Sequence, residues 1–260
     1  MHSKKLSKMV LGMALSLVMA SGTVLASFAA TTNDNTTTKG TISFKADKQE
    51  PGDPDDPTKP ITPDPDEPGG GETTGALRIL YVPNLKFGEH ENAATGDYYA
   101  KPMKAKVENK DVIRPLSIQV GDSRSDAELD GWKLQVSQNA MGFEDNSDPQ
   151  DPKQLTGTTI AFGDVKAELN NATGVNKNYT GADLTKDGFT IEPGQTKKVM
   201  TGKTGLGRGT FMNVYGAIDS KNGNEANNYN YKGVKLTIGD TPSKGSYETT
   251  LTWTITNTPN

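Results

Sequence analysis

Short apolar runs that repeat every second residue, with no helix-length stripe repeating every third or fourth, set the limits on this chain's fold. Leu77, Ile79 and Tyr81 share a face, as do Leu116, Ile118 and Val120, then Trp132, Leu134 and Val136, then Val234, Leu236 and Ile238. Near the end of the chain Tyr247, Thr249, Leu251, Trp253 and Ile255 do the same, with Glu248, Thr250, Thr252 and Thr254 on the other face. Extended backbone sends successive side chains to opposite sides, so such runs are half-buried strands. Weaker runs occur at 159–162, 165–169, 189–191, 196–200 and 211–215, and turn signals fall between them at Asp187-Gly188, Pro193-Gly194 and Asn222-Gly223. The pattern predicts an all-β fold, an antiparallel β-sandwich or irregular barrel of short strands, forming a single domain over residues 76–260.

The N-terminus is of another kind. Lys4, Lys5 and Lys8 precede an apolar run from Met9 to Ala20, and small residues follow up to Ala29. That order is the design of a secretory signal peptide, here residues 1–29, and the run is too short to span a bilayer comfortably. Its removal moves the net charge from −4 to −7, which leaves no electrostatic case for nucleic acid. No second run is long enough for a transmembrane segment in the mature form. Cysteine is absent, so neither a disulfide framework nor a thiolate nucleophile or metal ligand is available.

Residues 47–75 read as a disordered Asp/Pro/Gly-rich spacer. Pro51, Pro54, Pro57, Pro60 and Pro63 recur every third residue, the repeat of a polyproline II rod, and the intervening aspartates keep such a rod solvated and extended. Ahead of it, within residues 30–46, Ile42 and Phe44 share a face. The expectation is one short strand over Gly40–Lys45 that pairs with the main domain while the proline segment loops out.

Residues suited to catalysis are sparse. His90 is the single histidine outside the signal segment, and it lies in the polar stretch GEHEN, which reads as a loop. A Ser-His-Asp triad or a zinc site would have to be built around it, with weak neighbours. The stretch 144–151, EDNSDPQD, has the oxygen-rich composition of a calcium loop, but Pro149 breaks the spacing and the required glycine is missing. Glu144 with Asp148, or Asp130, are the acids a glycoside hydrolase would call on, though exposed turn acids are the commoner reading. TGKTGLGRG at 201–209 imitates a phosphate loop, but Lys197 stands where the earlier glycine belongs. The expectation is a non-enzyme with no catalytic residues, cofactor or metal.

Two tryptophans remain. Trp132 and Leu134 project from one face of a strand, as do Trp253 and Ile255. Packing in the core is the favoured reading of both indoles, and stacking on sugar or docking of a protein partner is the alternative.

These residues resemble a known family. Trp132-Lys133-Leu134 is similar to the proximal Trp-x-Leu motif of WxL-domain proteins. YETTLTWTITNTP is similar to their distal pattern Y-x-x-x-L-T-W-x-L-x-x-x-P, with Tyr247, Leu251, Thr252, Trp253 and Pro259 in place and Ile255 where leucine is usual. The leader, the Asp/Pro-rich stretch and LRILYVPNLKFG at 77–88 are also similar to those of small WxL proteins. The resemblance implies a secreted cell-surface protein of Gram-positive bacteria, held non-covalently on the wall through peptidoglycan and contributing to a surface adhesion complex. Implied partners are a large WxL protein and a WxL-interacting protein, with host matrix or plant polysaccharide as further contacts. The visible chain carries no sorting signal of the LPxTG type and no hydrophobic anchor, as expected for non-covalent attachment. A partner subunit held at the surface by a WxL-interacting protein, or a secreted glycan hydrolase, are the alternative expectations.

Overall fold

The computed structural model describes residues 39–43, 49–64, 71–91, 95–124, 130–148, 150–170, 188–203, 208–218 and 231–257. The expected signal peptide, Phe44, Pro149 and Pro259 lie outside the described residues. The chain divides into two units, Met1–Phe44 and Lys45–Asn260. In the first, residues 39–43 carry no strand and Ile42 is 80% exposed.

The regular structure in the described part of the second unit is all strand. In chain order it holds β1 (Thr62–Pro63), β2 (Leu77–Tyr81), β3 (Gly96–Tyr99), β4 (Met103–Val107), β5 (Lys110–Arg114), β6 (Leu116–Asp122), β7 (Trp132–Gln138) and β8 (Phe143–Asp145). There follow β9 (Lys153–Leu155), β10 (Thr159–Phe162), β11 (Val165–Asn170), β12 (Phe189–Ile191), β13 (Thr196–Gly202), β14 (Gly209–Tyr215), β15 (Val234–Ile238) and β16 (Leu251–Thr256). All pairings are antiparallel. The sheets run β11-β14-β6-β2, β12-β10-β15-β3, β13-β7-β16, β1-β4-β5 and β8-β9, and none closes on itself. The architecture is a β-sandwich rather than a barrel.

Each strong period-two run became a strand with its apolar face inward. On β7 burial alternates along the strand, with Trp132, Leu134, Val136 and Gln138 buried between half-buried neighbours. The core joins Trp132, Leu134 and Val136 to Leu116, Ile118 and Val120 of β6, Phe211 and Tyr215 of β14, and Val234 and Leu236 of β15.

The spacer reading of 47–75 requires correction over residues 49–64. Instead of an extended rod, Pro51 to Ile61 closes a compact loop in which Asp53 N donates to Lys59 O (2.8 Å) and Ile61 N to Pro51 O (2.9 Å). The aspartates, read as mutually repelling charges, serve as acceptors for their own backbone. Asp55 N donates to Asp53 Oδ1 (3.1 Å), and Thr58 Oγ1 donates to Asp56 Oδ1 (2.6 Å), an interaction that holds the Asp56 carboxyl below its usual range. β1 then pairs with β4, and Ile61 is buried.

This loop covers the second face of β6. Every residue of β6 is buried, although Ser117, Gln119 and Gly121 read in sequence as a solvent face. Gln119 clamps the loop, accepting from Gly52 N (2.7 Å) and donating to Gly52 O (2.9 Å), while Gln49 Nε2 donates to Asp122 O (2.8 Å). Arg114 holds Asp53 through two bonds, Nε to Oδ1 (2.5 Å) and Nη2 to Oδ2 (2.9 Å).

One turn shows how tightly the strand ends meet. A methyl group added at Gly233 would collide with Tyr215 O and lie 2.5 Å from Tyr231 Oη, which itself donates to Tyr215 O (2.8 Å). Gly233→Ala is expected to destabilise the fold by roughly 1–3 kcal/mol through overpacking, read as a lowered denaturation midpoint. An unchanged midpoint would show that the β14 and β15 ends are free to separate.

Candidate functional site

The two Trp-x-aliphatic segments are neighbours in space. β7 is the centre of its sheet, with β13 on one side and β16 on the other. In the antiparallel register Leu134 lies opposite Ile255, and Val136 lies opposite Trp253. The two motifs therefore run past each other on one face, with their aliphatic residues paired and their indoles at opposite ends. That face is the core side.

Trp132 is 1% exposed, and its ring centre lies 5.5 Å from that of Phe211. Its indole N–H is buried and has no acceptor among the described residues. Trp253 is half-buried and meets the edge of Phe162 at 6.3 Å with the planes at 88°. Phe162 in turn stacks on Phe189 (4.5 Å, 14°) and meets Tyr215 (5.1 Å, 68°), whose phenol is pushed upward in pKa by complete burial. The second tryptophan thus closes one side of an aromatic cluster. Sequence reasoning listed Phe162, Phe189 and Tyr215 only as ends of weak strands, because nothing in their spacing shows that three separate strands converge there.

Leu251 and Ile255 are half-buried beside Trp253, and Thr252 is exposed on the outer face. The entry to β16 is fastened by side chains: Gln138 Nε2 donates to Thr249 Oγ1 (3.0 Å), which donates to Asn139 Oδ1 (2.7 Å). Tyr247 precedes the strand rather than belonging to it. It packs on the core cluster and donates its hydroxyl to Ser243 O (2.9 Å).

The outer face of the same sheet forms three rows that cross all its strands. Thr196, Ser137 and Thr252 make the first, Lys198, Gln135 and Thr254 the second, and Thr201, Lys133 and Thr256 the third. These side chains are hydroxyls, one amide and two ammonium groups, without a carboxylate, on a chain whose net charge is −4. Such a surface offers donors and acceptors at strand spacing over a flat area, as suits an extended polymer carrying hydroxyl and carboxylate groups.

The acidic stretch 144–151 is occupied with its own fold. Asp145 accepts from Ser147 N (3.0 Å) and Ser246 N (3.2 Å), and the Ser147 contacts hold its carboxyl below the usual range. Among the described residues no three histidine or acidic side chains converge to hold a metal. His90 is exposed, meets the Tyr98 ring at 4.5 Å with the planes tilted by 55°, and bonds Phe87 O through Nε2 (2.8 Å).

No curated protein and no solved structure matches the chain. A family model does: the WxL domain, described as surface cell wall-binding, matches residues 31–259.

Proposed function

Since the chain belongs to the WxL family of surface cell wall-binding domains, we propose that it binds peptidoglycan non-covalently through the outer face of the β13-β7-β16 sheet. It is exported by its leader and contributes to a surface adhesion complex with a large WxL protein and a WxL-interacting protein. The acid-free, hydroxyl- and amide-lined rows carry this reading, because they lie on the back of the two strands that define the family signature. Trp132 supports binding by holding that sheet flat against the core, and Trp253, Leu251 and Ile255 hold its edge. Neither catalysis nor a cofactor has a part in it.

Sedimentation of the protein lacking residues 1–29 with purified peptidoglycan sacculi tests the reading. The protein is expected in the pellet, and a folded K198E/Q135E variant, which places carboxylates in the central row, is expected to bind about tenfold more weakly. Equal pelleting of the two removes this face from wall contact. No pelleting of either, with recovery once a WxL-interacting protein is added, makes the chain a partner subunit instead.

A further inference from the structure

The two edges of the β13-β7-β16 sheet differ in kind. β13 carries Lys197 and Lys198 and a register break between Lys198 and Met200, devices that discourage another strand from pairing. β16 has none of them: its register with β7 is unbroken, and from Thr249 to Asn257 there is no charge and no proline. Asn139 N donates to Thr250 O (3.1 Å), which fixes the alternation. Thr252 and Thr254 therefore turn their peptide groups toward β7, and Leu251, Trp253 and Ile255 turn theirs outward. Among the described residues no hydrogen bond reaches those outward groups. β2 approaches β16, but the far edge of β2 is already taken by Thr73, which donates to Ile79 O (3.0 Å) and accepts from Ile79 N (2.9 Å). Leu251, Trp253 and Ile255 are left half-buried, whereas Leu134 and Val136 on the next strand are wholly covered.

We propose that β16 pairs with β16 of a second copy of this chain, across a two-fold axis through Trp253, so that the two sheets become one. In that register Leu251 faces Ile255 of the other copy and Thr252 faces Thr254. Apolar groups meet on the core side, hydroxyls meet on the outer side, and no like charges are opposed. Such self-complementarity is what a two-fold contact requires of a single strand. The pairing does not depend on the wall-binding reading, but it would set two outer faces side by side and give bivalent attachment.

Light scattering across a concentration series, without wall material, tests this on the protein lacking residues 1–29. A dimer is expected. T252K/T254K sets lysines opposite lysines, T252E/T254E sets glutamates opposite glutamates, and each alone is expected to weaken the dimer about tenfold or more, while an equimolar mixture restores it. Amide exchange of the unsubstituted protein gives a second reading that needs no variant: Leu251, Trp253 and Ile255 are expected to exchange more slowly in the concentrated sample than in the dilute one. A monomer at all concentrations overturns the proposal. So does a dimer that both variants leave intact, or exchange at these three amides that is independent of concentration.

Discussion

Trp132→Ala is expected to cost about 3–5 kcal/mol of stability, enough to leave much of the protein unfolded at ordinary temperature. The indole is 1% exposed at the centre of the core, against Phe211 and between strands on both sides, so truncation opens a cavity that the surrounding sheets cannot collapse to fill. Trp132→Phe is expected to be far milder, about 1 kcal/mol or less. Phenylalanine restores most of the volume, and the buried indole N–H that it removes has no acceptor among the described residues, so its loss relieves a desolvation penalty of roughly 1–3 kcal/mol. Chemical denaturation of the two variants checks this. Wall binding by the folded fraction of Trp132→Phe is expected to be unchanged; a fully folded Trp132→Phe that no longer pellets with sacculi would mean that the indole reaches the ligand despite its burial.

The strands that bury one side were legible because their periodicity reports burial directly. Leu116, Ile118 and Val120, or Val234, Leu236 and Ile238, have one way to satisfy their alternation, and the weaker run at 159–162 matches β10 residue for residue. The β4–β5 hairpin escaped notice for two physical reasons. Ala105 gives little apolar signal between Lys104 and Lys106, and the turn is made by Glu108 and Asn109, both at positive φ (50° and 63°), rather than by the asparagine–glycine pair that usually marks such a turn. At the site, the sequence placed Trp132 and Trp253 each on a strand but held no information on which strands were neighbours. The pairing of Leu134 with Ile255 is a property of the register. The prolines misled because a three-residue rhythm is necessary for a polyproline rod without being sufficient for one. Where aspartates between the prolines can accept from their own backbone and a glutamine on a nearby strand can clamp the peptide, the chain turns and packs instead.

That clamp makes Asp53→Ala the second large effect, with an expected loss of about 3–5 kcal/mol and a thermal midpoint lowered by roughly 10 °C. Asp53 is 1% exposed and Arg114 is largely enclosed, with the bond to Asp53 first among the causes that raise the guanidinium pKa further above its ordinary value. Removing the carboxylate takes away two charge-assisted bonds and leaves the guanidinium the more exposed Asp55 carboxylate at 3.2 Å as counter-charge, and it also takes away the acceptor for Asp55 N. A cycle with Arg114→Met separates the two contributions: the double variant is expected to be less destabilised than the sum of the singles, because the under-compensated charge goes with its partner. The consequence extends beyond the pair. Loss of the Pro51–Ile61 loop would expose Ser117, Gln119 and Met212 on the second face of the central sheet, so Asp53→Ala is expected to speed amide exchange along β6 and β14 as well as in the loop. An unchanged midpoint and unchanged exchange in β6 would return residues 49–64 to the role of a spacer tethered to the domain and dispensable to it.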